Sequence, residues 1–154
     1  MDLTLITPHY GKLGFADVDS ILSIEERVYA HPWTRGNFTD SFSSGYEAYG
    51  FRNAEQDLFA YFVVMPILDE LHLLNFAVDL PYQGQGYAKL LMDKLFTCTL
   101  ENAHASILLE VRRSNVRAIS VYEGAGFTAI GVRKGYYPAH DNQREDAIVM
   151  RRMC

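Results

Sequence analysis

The chain has 154 residues, 49% of them hydrophobic and 13% aromatic, which is enough apolar material for the core of one ordinary domain over residues 1–154. Its 14 Lys and Arg stand against 19 Asp and Glu for a net charge of -5, with no Lys/Arg-rich block. That balance argues against a grip on nucleic-acid backbone and favours a basic partner.

In chain order, Leu3 to Ile6 ("LTLI") is a short β-type run, followed by a helix in "ADVDSILSIEERVYA". In that helix Val18, Ile21, Leu22 and Val28 recur at helical spacing and Asp17 is available as a cap. A second short helix is expected over Thr34 to Ser43, with Phe38 and Phe42 four apart on one face and an end near Gly45. "YEAYGF", "DLFAYFVVMPIL" and "ELHLLNFAV" are three β-type runs separated by polar turns, the pattern of an antiparallel meander. "YQGQGYAKLL" opens a third helix with Ala88, Leu91, Leu95 and Cys98 on one face, and the strand "SILLEV" follows. A fourth helix around "RAISVYEGAG" has Gly126 placed to cap it, and Ala118, Val121, Tyr122 and Ala125 share one face. Two last strands, "TAIGVRKGYY" and "DAIVMRRM", flank the polar loop "PAHDNQRE". The order β, α, α, three strands, α, β, α, β, β predicts a mixed α/β (α+β) sheet flanked by helices. The strands on either side of the third helix should run parallel through a β-α-β crossover.

Cys98 and Cys154 make no disulfide framework and suit a reducing cytosol. No apolar run approaches the ~18 residues that span a bilayer, and "MDLTLITPHYGK" lacks a secretory pattern, so a soluble cytoplasmic protein with no membrane contact is expected. His9, His31, His72, His104 and His140 are scattered without ligand spacing, so no metal is expected and all five are read as structural or exposed.

Gly84 and Gly86 stand between a strand and a helix start. A Gly-bearing turn there can aim several backbone N–H groups, and the positive end of the helix dipole, at one anion. The same two glycines could equally do no more than turn the chain. The Walker A pattern is absent, and Lys89 stands where a dinucleotide fingerprint needs a small residue.

The stretch Gln83-x-x-Gly86-x-Ala88, directly after "NFAVD" and "PY", resembles the acetyl-CoA pyrophosphate loop of the GNAT family of N-acetyltransferases, Gln/Arg-x-x-Gly-x-Gly/Ala. The element order agrees with that fold along nearly the whole chain. The resemblance implies acetyl-CoA as acetyl donor, with its pyrophosphate on N–H groups of Gly84, Gln85, Gly86, Tyr87, Ala88 and Lys89 behind Gln83. It also implies that the backbone of Phe76, Ala77 and Val78 pairs with the pantetheine arm like an added strand. Asn115, before the fourth helix, is either its cap, a contact to CoA, or both.

Alternation in "SILLEVRRSN" sets Ile107, Leu109 and Val111 on one face and Leu108, Glu110 and Arg112 on the other. A carboxylate in such a strand is either salt-bridged or a base whose pKa desolvation has raised. Acetyl transfer needs a base to take the amine proton, a role given to Glu110. Tyr122 is a core tyrosine on pattern alone. The resemblance makes it the general acid that protonates the departing CoA thiolate.

"HPW", "NFAVD", "LLEVRRSN", "VYEGAGF" and "YYPAHDNQREDAIVM" are similar to the bacterial branch of the family that acetylates the N-terminal alanine of a small-subunit ribosomal protein. That likeness runs from about Glu25 to Met150 and implies the same base and acid, a basic ribosomal acceptor, no direct nucleic-acid contact, and a monomer or weak dimer. An α-amine has a pKa of about 8 against about 10.4 for lysine, so its deprotonation costs roughly 3.3 kcal/mol less. Trp33 and Tyr137 are expected to wall the peptide cleft, with Glu145 or Asp146 meeting a positive charge of the acceptor. The pattern is broken at Gly84, where relatives often carry arginine, and the loop Ala139 to Arg144 is slightly long. The rival readings are an acetyltransferase of another N-terminus, of lysine or of a small amine, and a non-catalytic acyl-CoA-binding domain.

Overall fold

A computed structural model of the chain describes residues 7–154. The strand expected at Leu3 to Ile6 lies outside the described residues. Among the described residues seven strands join one sheet, in which the first five lie side by side in chain order, followed by the seventh and then the sixth, and four α-helices connect them. The chain divides into two compact units: one holds the chain up to Met65 with Asn75–Leu95, the other Pro66–Leu74 with Phe96–Cys154.

In the first unit, β1 (His9–Leu13), β2 (Glu47–Arg52) and β3 (Leu58–Ile67) pair antiparallel, β1 with β2 and β2 with β3; of the meander expected over "YEAYGF", "DLFAYFVVMPIL" and "ELHLLNFAV", the first two runs are thus antiparallel and the third is the next strand of the sheet. β1 lies on residues to which the sequence pattern assigns no element. Helix α1 (Val18–Val28) buries Val18, Ile21, Ile24 and Glu25. Leu22 and Val28, expected on that face, are only half-buried, because the buried stripe centres on Ile21 and Glu25, four apart. Helix α2 (Arg35–Ser43) begins at Thr34, whose hydroxyl accepts from the Asn37 N–H while Asn37 Oδ1 accepts from the Thr34 N–H. Phe38 on this helix is fully buried.

In the second unit, the first half of β4 (Glu70–Val78) runs parallel to β5 (Ser106–Arg112), paired from Glu70↔Ser106 to Leu73↔Leu109. Helix α3 (Tyr87–Glu101) makes the connection, as a parallel pair requires. Leu91, Leu95 and Cys98 are its buried residues on the expected face. β5 pairs antiparallel with β7 (Arg144–Met153), and β7 with β6 (Thr128–Pro138). Helix α4 (Val116–Gly124) buries Tyr122, whereas Val121, expected beside it, is 40% exposed. Gly126 follows it with a φ of +97°, the left-handed conformation that ends a helix. Among the described residues no helix is long and apolar enough to cross a membrane.

Candidate active site

The glycine turn of the first unit is built on the end of β4. The Asp79 N–H donates to Phe59 O at 2.8 Å, and the Asp79 carboxylate accepts from the Leu80 N–H at 2.9 Å and from both Arg27 Nε at 3.0 Å and Nη2 at 2.7 Å. Gln83 then folds back, its side-chain amide donating to Val78 O at 2.8 Å, while that of Gln85 donates to Pro81 O at 2.9 Å. Tyr82 stacks on Phe59 at 4.1 Å between ring centroids and Tyr87 meets the same ring edge-on at 4.9 Å. Both ends of the turn are thereby pinned by aromatic packing while Gly84, Gln85 and Gly86 stay exposed.

Gly84 and Gly86 hold φ of +75° and +90°, and a Cβ at either would meet nothing within 4 Å. Backbone geometry, not crowding, demands glycine there. The α3 bond from the Leu90 N–H reaches back to Gly86 O, so the amides of Tyr87, Ala88 and Lys89 belong to the turn that helical bonding leaves without acceptors. Such donors at the head of a 15-residue helix, behind the exposed residues Gly84, Gln85 and Gly86, suit an anion such as a pyrophosphate.

Phe76, Ala77 and Val78 are buried, and their stretch of β4 lies beyond the four residues that pair with β5. Side chains use part of its backbone: the Phe76 N–H donates to Asn75 Oδ1 at 2.8 Å, Phe76 O accepts from the Tyr29 hydroxyl, and Val78 O from Gln83. Trp33 is half-buried, its ring against Phe38 at 5.0 Å and its N–H donating to Glu25 Oε2 at 2.9 Å.

The second unit carries the proton-transfer candidates. Glu110 sits on the less buried face of β5, as alternation predicts, with Ile107, Leu109 and Val111 buried on the other. The structure gives its carboxylate two close neighbours: His72 Nε2 is 3.3 Å from Oε1, and Arg133 Nε forms an ion pair with Oε2. The Tyr136 phenol is held above its usual pKa, by burial first and the Glu110 charge second. Burial holds the His72 imidazole below its usual pKa, against the pull of Glu110 and Glu70, so His72 is a neutral ring near pH 7. Tyr122 is buried edge-on against Phe127 at 5.7 Å, and burial, reinforced by Tyr137, pushes its phenol well up. It keeps its proton throughout the physiological range.

Asn115 caps α4, its Oδ1 accepting from the Ala118 N–H at 3.2 Å. Tyr137 lies under the Arg112 guanidinium, 4.5 Å from its ring centre, with its phenol pushed up to about 12 by burial and then by Glu110. Glu145 and Asp146 stand on strand β7; Asp146 is the expected first residue of that strand, and Glu145, expected at the end of the preceding loop, joins it because β6 and β7 pair as far as Pro138↔Arg144. Both are committed within the chain. Glu145 accepts from the Ser114 N–H at 2.7 Å and Arg112 Nη1 at 3.1 Å, and its carboxyl is held below the usual range by the Ser114 side chain first, then by the Ser114 backbone and Arg112. Asp146 accepts from the Gly135 N–H at 3.0 Å and lies 3.5 Å from Arg113 Nη2.

Residues 18–127 match the model of the acetyltransferase (GNAT) family. The chain belongs to this family. It is similar to the ribosomal protein bS18-alanine N-acetyltransferases of Haemophilus ducreyi, 36% identical over 87% of this chain and 92% of that one, and of Escherichia coli strain K12, 37% identical over 87% and 89%. The crystal structure of the Escherichia coli ribosomal-protein bS18-alanine N-acetyltransferase superposes with a TM-score of 0.86 at 33% identity, covering 96% of this chain and 94% of that one. A NatC complex bound to Gag peptide and CoA shares the fold, with a TM-score of 0.79 at 19% identity over 96% and 98%.

GNAT enzymes take their acetyl group from acetyl-CoA, and the glycine turn described above fits that donor's pyrophosphate by the chemistry of its exposed amides. For a GNAT acetyltransferase, sequence reasoning missed His72, Arg133 and Arg112. His72 was legible in principle: it is paired with Leu108 across the parallel ladder, which puts it on the face of Glu110. Alternation in β5 places Arg112 on the face of Glu110, but its partner Glu145, and Arg133 as the partner of Glu110, follow only from the pairing of β5, β7 and β6.

Proposed function

We propose that this acetyltransferase transfers the acetyl group of acetyl-CoA to the α-amino group of an N-terminal alanine on a small-subunit ribosomal protein. The observation that carries the reading is the breadth of the likeness to enzymes named for that reaction. An alignment of 135 residues at 37% identity cannot be confined to the cofactor half of a 154-residue chain, so the parts that receive the acceptor are included. The net charge of -5 suits a basic ribosomal acceptor, as steering.

In this reading the amides from Gly84 to Lys89 hold the pyrophosphate, and the β4 backbone at Phe76, Ala77 and Val78 receives the pantetheine arm. Asn115 turns toward CoA while it caps α4. Acetyl-CoA supplies an acyl group activated as a thioester. Glu110 takes a proton from the attacking amine, and Tyr122, still protonated because it is buried, gives one to the departing sulfur. Direct attack needs no enzyme-bound acyl group. Trp33 and Tyr137 wall the peptide. A basic residue of the acceptor reaches Glu145 or Asp146 only in exchange for Arg112 or Arg113.

The test is mass spectrometry after incubation with acetyl-CoA and a peptide that starts with alanine and carries internal lysines. Acetyl on the α-amine alone supports the reading. Acetyl on lysine moves the function to another acceptor, and bound acetyl-CoA without transfer moves it to a binding role.

A further inference from the structure

Glu110 carries a cation where a base needs room. Its side chain is 9% exposed, with His72 at Oε1 and Arg133 Nε at Oε2. A general base acts on an N–H brought within hydrogen-bond reach of a free oxygen lone pair. An α-amine with a pKa of about 8 arrives mostly as a cation near pH 7. It therefore needs from Glu110 the place that the guanidinium already occupies, that of a cation beside Oε2, a buried oxygen that accepts no hydrogen bond among the described residues.

The two basic neighbours differ in freedom to leave. His72 lies within β4, its side chain 14% exposed and fixed by the parallel ladder. Arg133 is 55% exposed, projects from the outermost strand β6, and rests over the Tyr136 ring at 5.6 Å. The β6–β7 register also shifts between Arg133 and Tyr137, next to Gly135 at a φ of +59°, so the backbone that carries Arg133 is irregular. The Glu110 contact is thus made by a mobile class of side chain from an edge strand.

We propose that Arg133 is a placeholder cation: it occupies the Glu110 carboxylate in the free protein and is exchanged for the amino group of the acceptor. This rests on Glu110 being the base. In the paired state the 9% exposed Glu110 carboxylate has a guanidinium beside it. Arrival of the acceptor swaps one cation for another, and Arg133 moves to solvent while keeping the Tyr136 face within reach. The apparent affinity for acceptor is then the intrinsic affinity reduced by the fraction of molecules in which Arg133 has left.

The experiment is steady-state kinetics on the full chain with acetyl-CoA and an alanine-starting peptide, for wild type, Arg133→Ala, Arg133→Gln, Arg133→Lys and Glu110→Gln. Peptide binding in the presence of CoA is measured by calorimetry as a readout independent of turnover. Removing a competing, half-exposed ion pair should lower the peptide KM and Kd about two- to fivefold in Arg133→Ala and Arg133→Gln, with the acetyl-CoA KM unchanged. Arg133→Lys should move both back toward wild type. An unchanged or higher peptide Kd in the two neutral variants, with Glu110→Gln inactive, overturns the placeholder and leaves Glu110 as base. Full turnover in Glu110→Gln overturns that reading and the placeholder with it.

Discussion

The side-chain amide of Asn75 donates to Glu25 Oε1 at 2.9 Å, joining β4 to the middle of α1 across 50 residues of sequence. The same carboxylate, 2% exposed, accepts from the Tyr61 hydroxyl and from the Trp33 N–H, so three neutral donors depend on it. Asn75 in turn holds the Phe76 N–H, which ties the segment bearing Trp33 to the strand proposed to receive pantetheine.

Replacing Glu25 by alanine leaves those donors buried without an acceptor. Stability to urea should fall by about 2–4 kcal/mol, against about 1 kcal/mol for Tyr61→Phe, which removes one donor and leaves the carboxylate two. Equal losses in the two variants would show that Glu25 is no hub.

Glu110→Gln keeps the shape of the side chain and removes its basicity. Turnover should fall by about 10²–10⁴-fold. The calorimetric affinity for acetyl-CoA should hold, since Glu110 forms no part of the glycine turn.

Tyr122→Phe should lower kcat by about a hundredfold or more. Burial raises the folded pKa of this phenol, so the donor is fully present below its ordinary value of about 10 and is lost only as pH rises through the higher folded value. A wild-type kcat profile should accordingly show no basic limb from Tyr122 below about pH 10. A limb near pH 9 that vanishes in Tyr122→Phe would contradict this.

Gly86→Ala adds a methyl to open space but forces a side chain into a φ of +90°. The expected cost is about 1–2 kcal/mol, as lost stability or as a turn that relaxes and binds acetyl-CoA about tenfold more weakly. Circular dichroism melts and calorimetry read the two outcomes.

Glu70 is held below its usual pKa of 4.5, chiefly by its hydrogen bond from Arg151, then by Ser106. A depressed carboxylate stabilises the fold above its unfolded pKa, and that stability is lost as pH falls through the folded value. Between neutral pH and about pH 5 the contribution should be nearly constant, and below the ordinary value of 4.5 it should be lost progressively. In Arg151→Met the fall in melting temperature on acidification should be shallower than in wild type.

What the sequence determined by itself is local. Gly84 and Gly86 mark a turn because a left-handed φ admits few other residues, and Thr34 and Asn115 mark helix starts through caps two or three residues long. The two-residue period of β5 placed Glu110 opposite Ile107 and Leu109 for the same reason: each feature is decided within one turn of helix or one strand. The tertiary structure alone decided the partners. Glu25 with Asn75, Glu110 with His72 and Arg133, and Glu145 with Arg112 are pairs separated by tens of residues, set by which strands lie side by side and in what register. Helical and strand periodicity say which face a side chain takes. They do not say which side chain will stand opposite it, and at Glu110 that neighbour decides whether a carboxylate is free or already occupied.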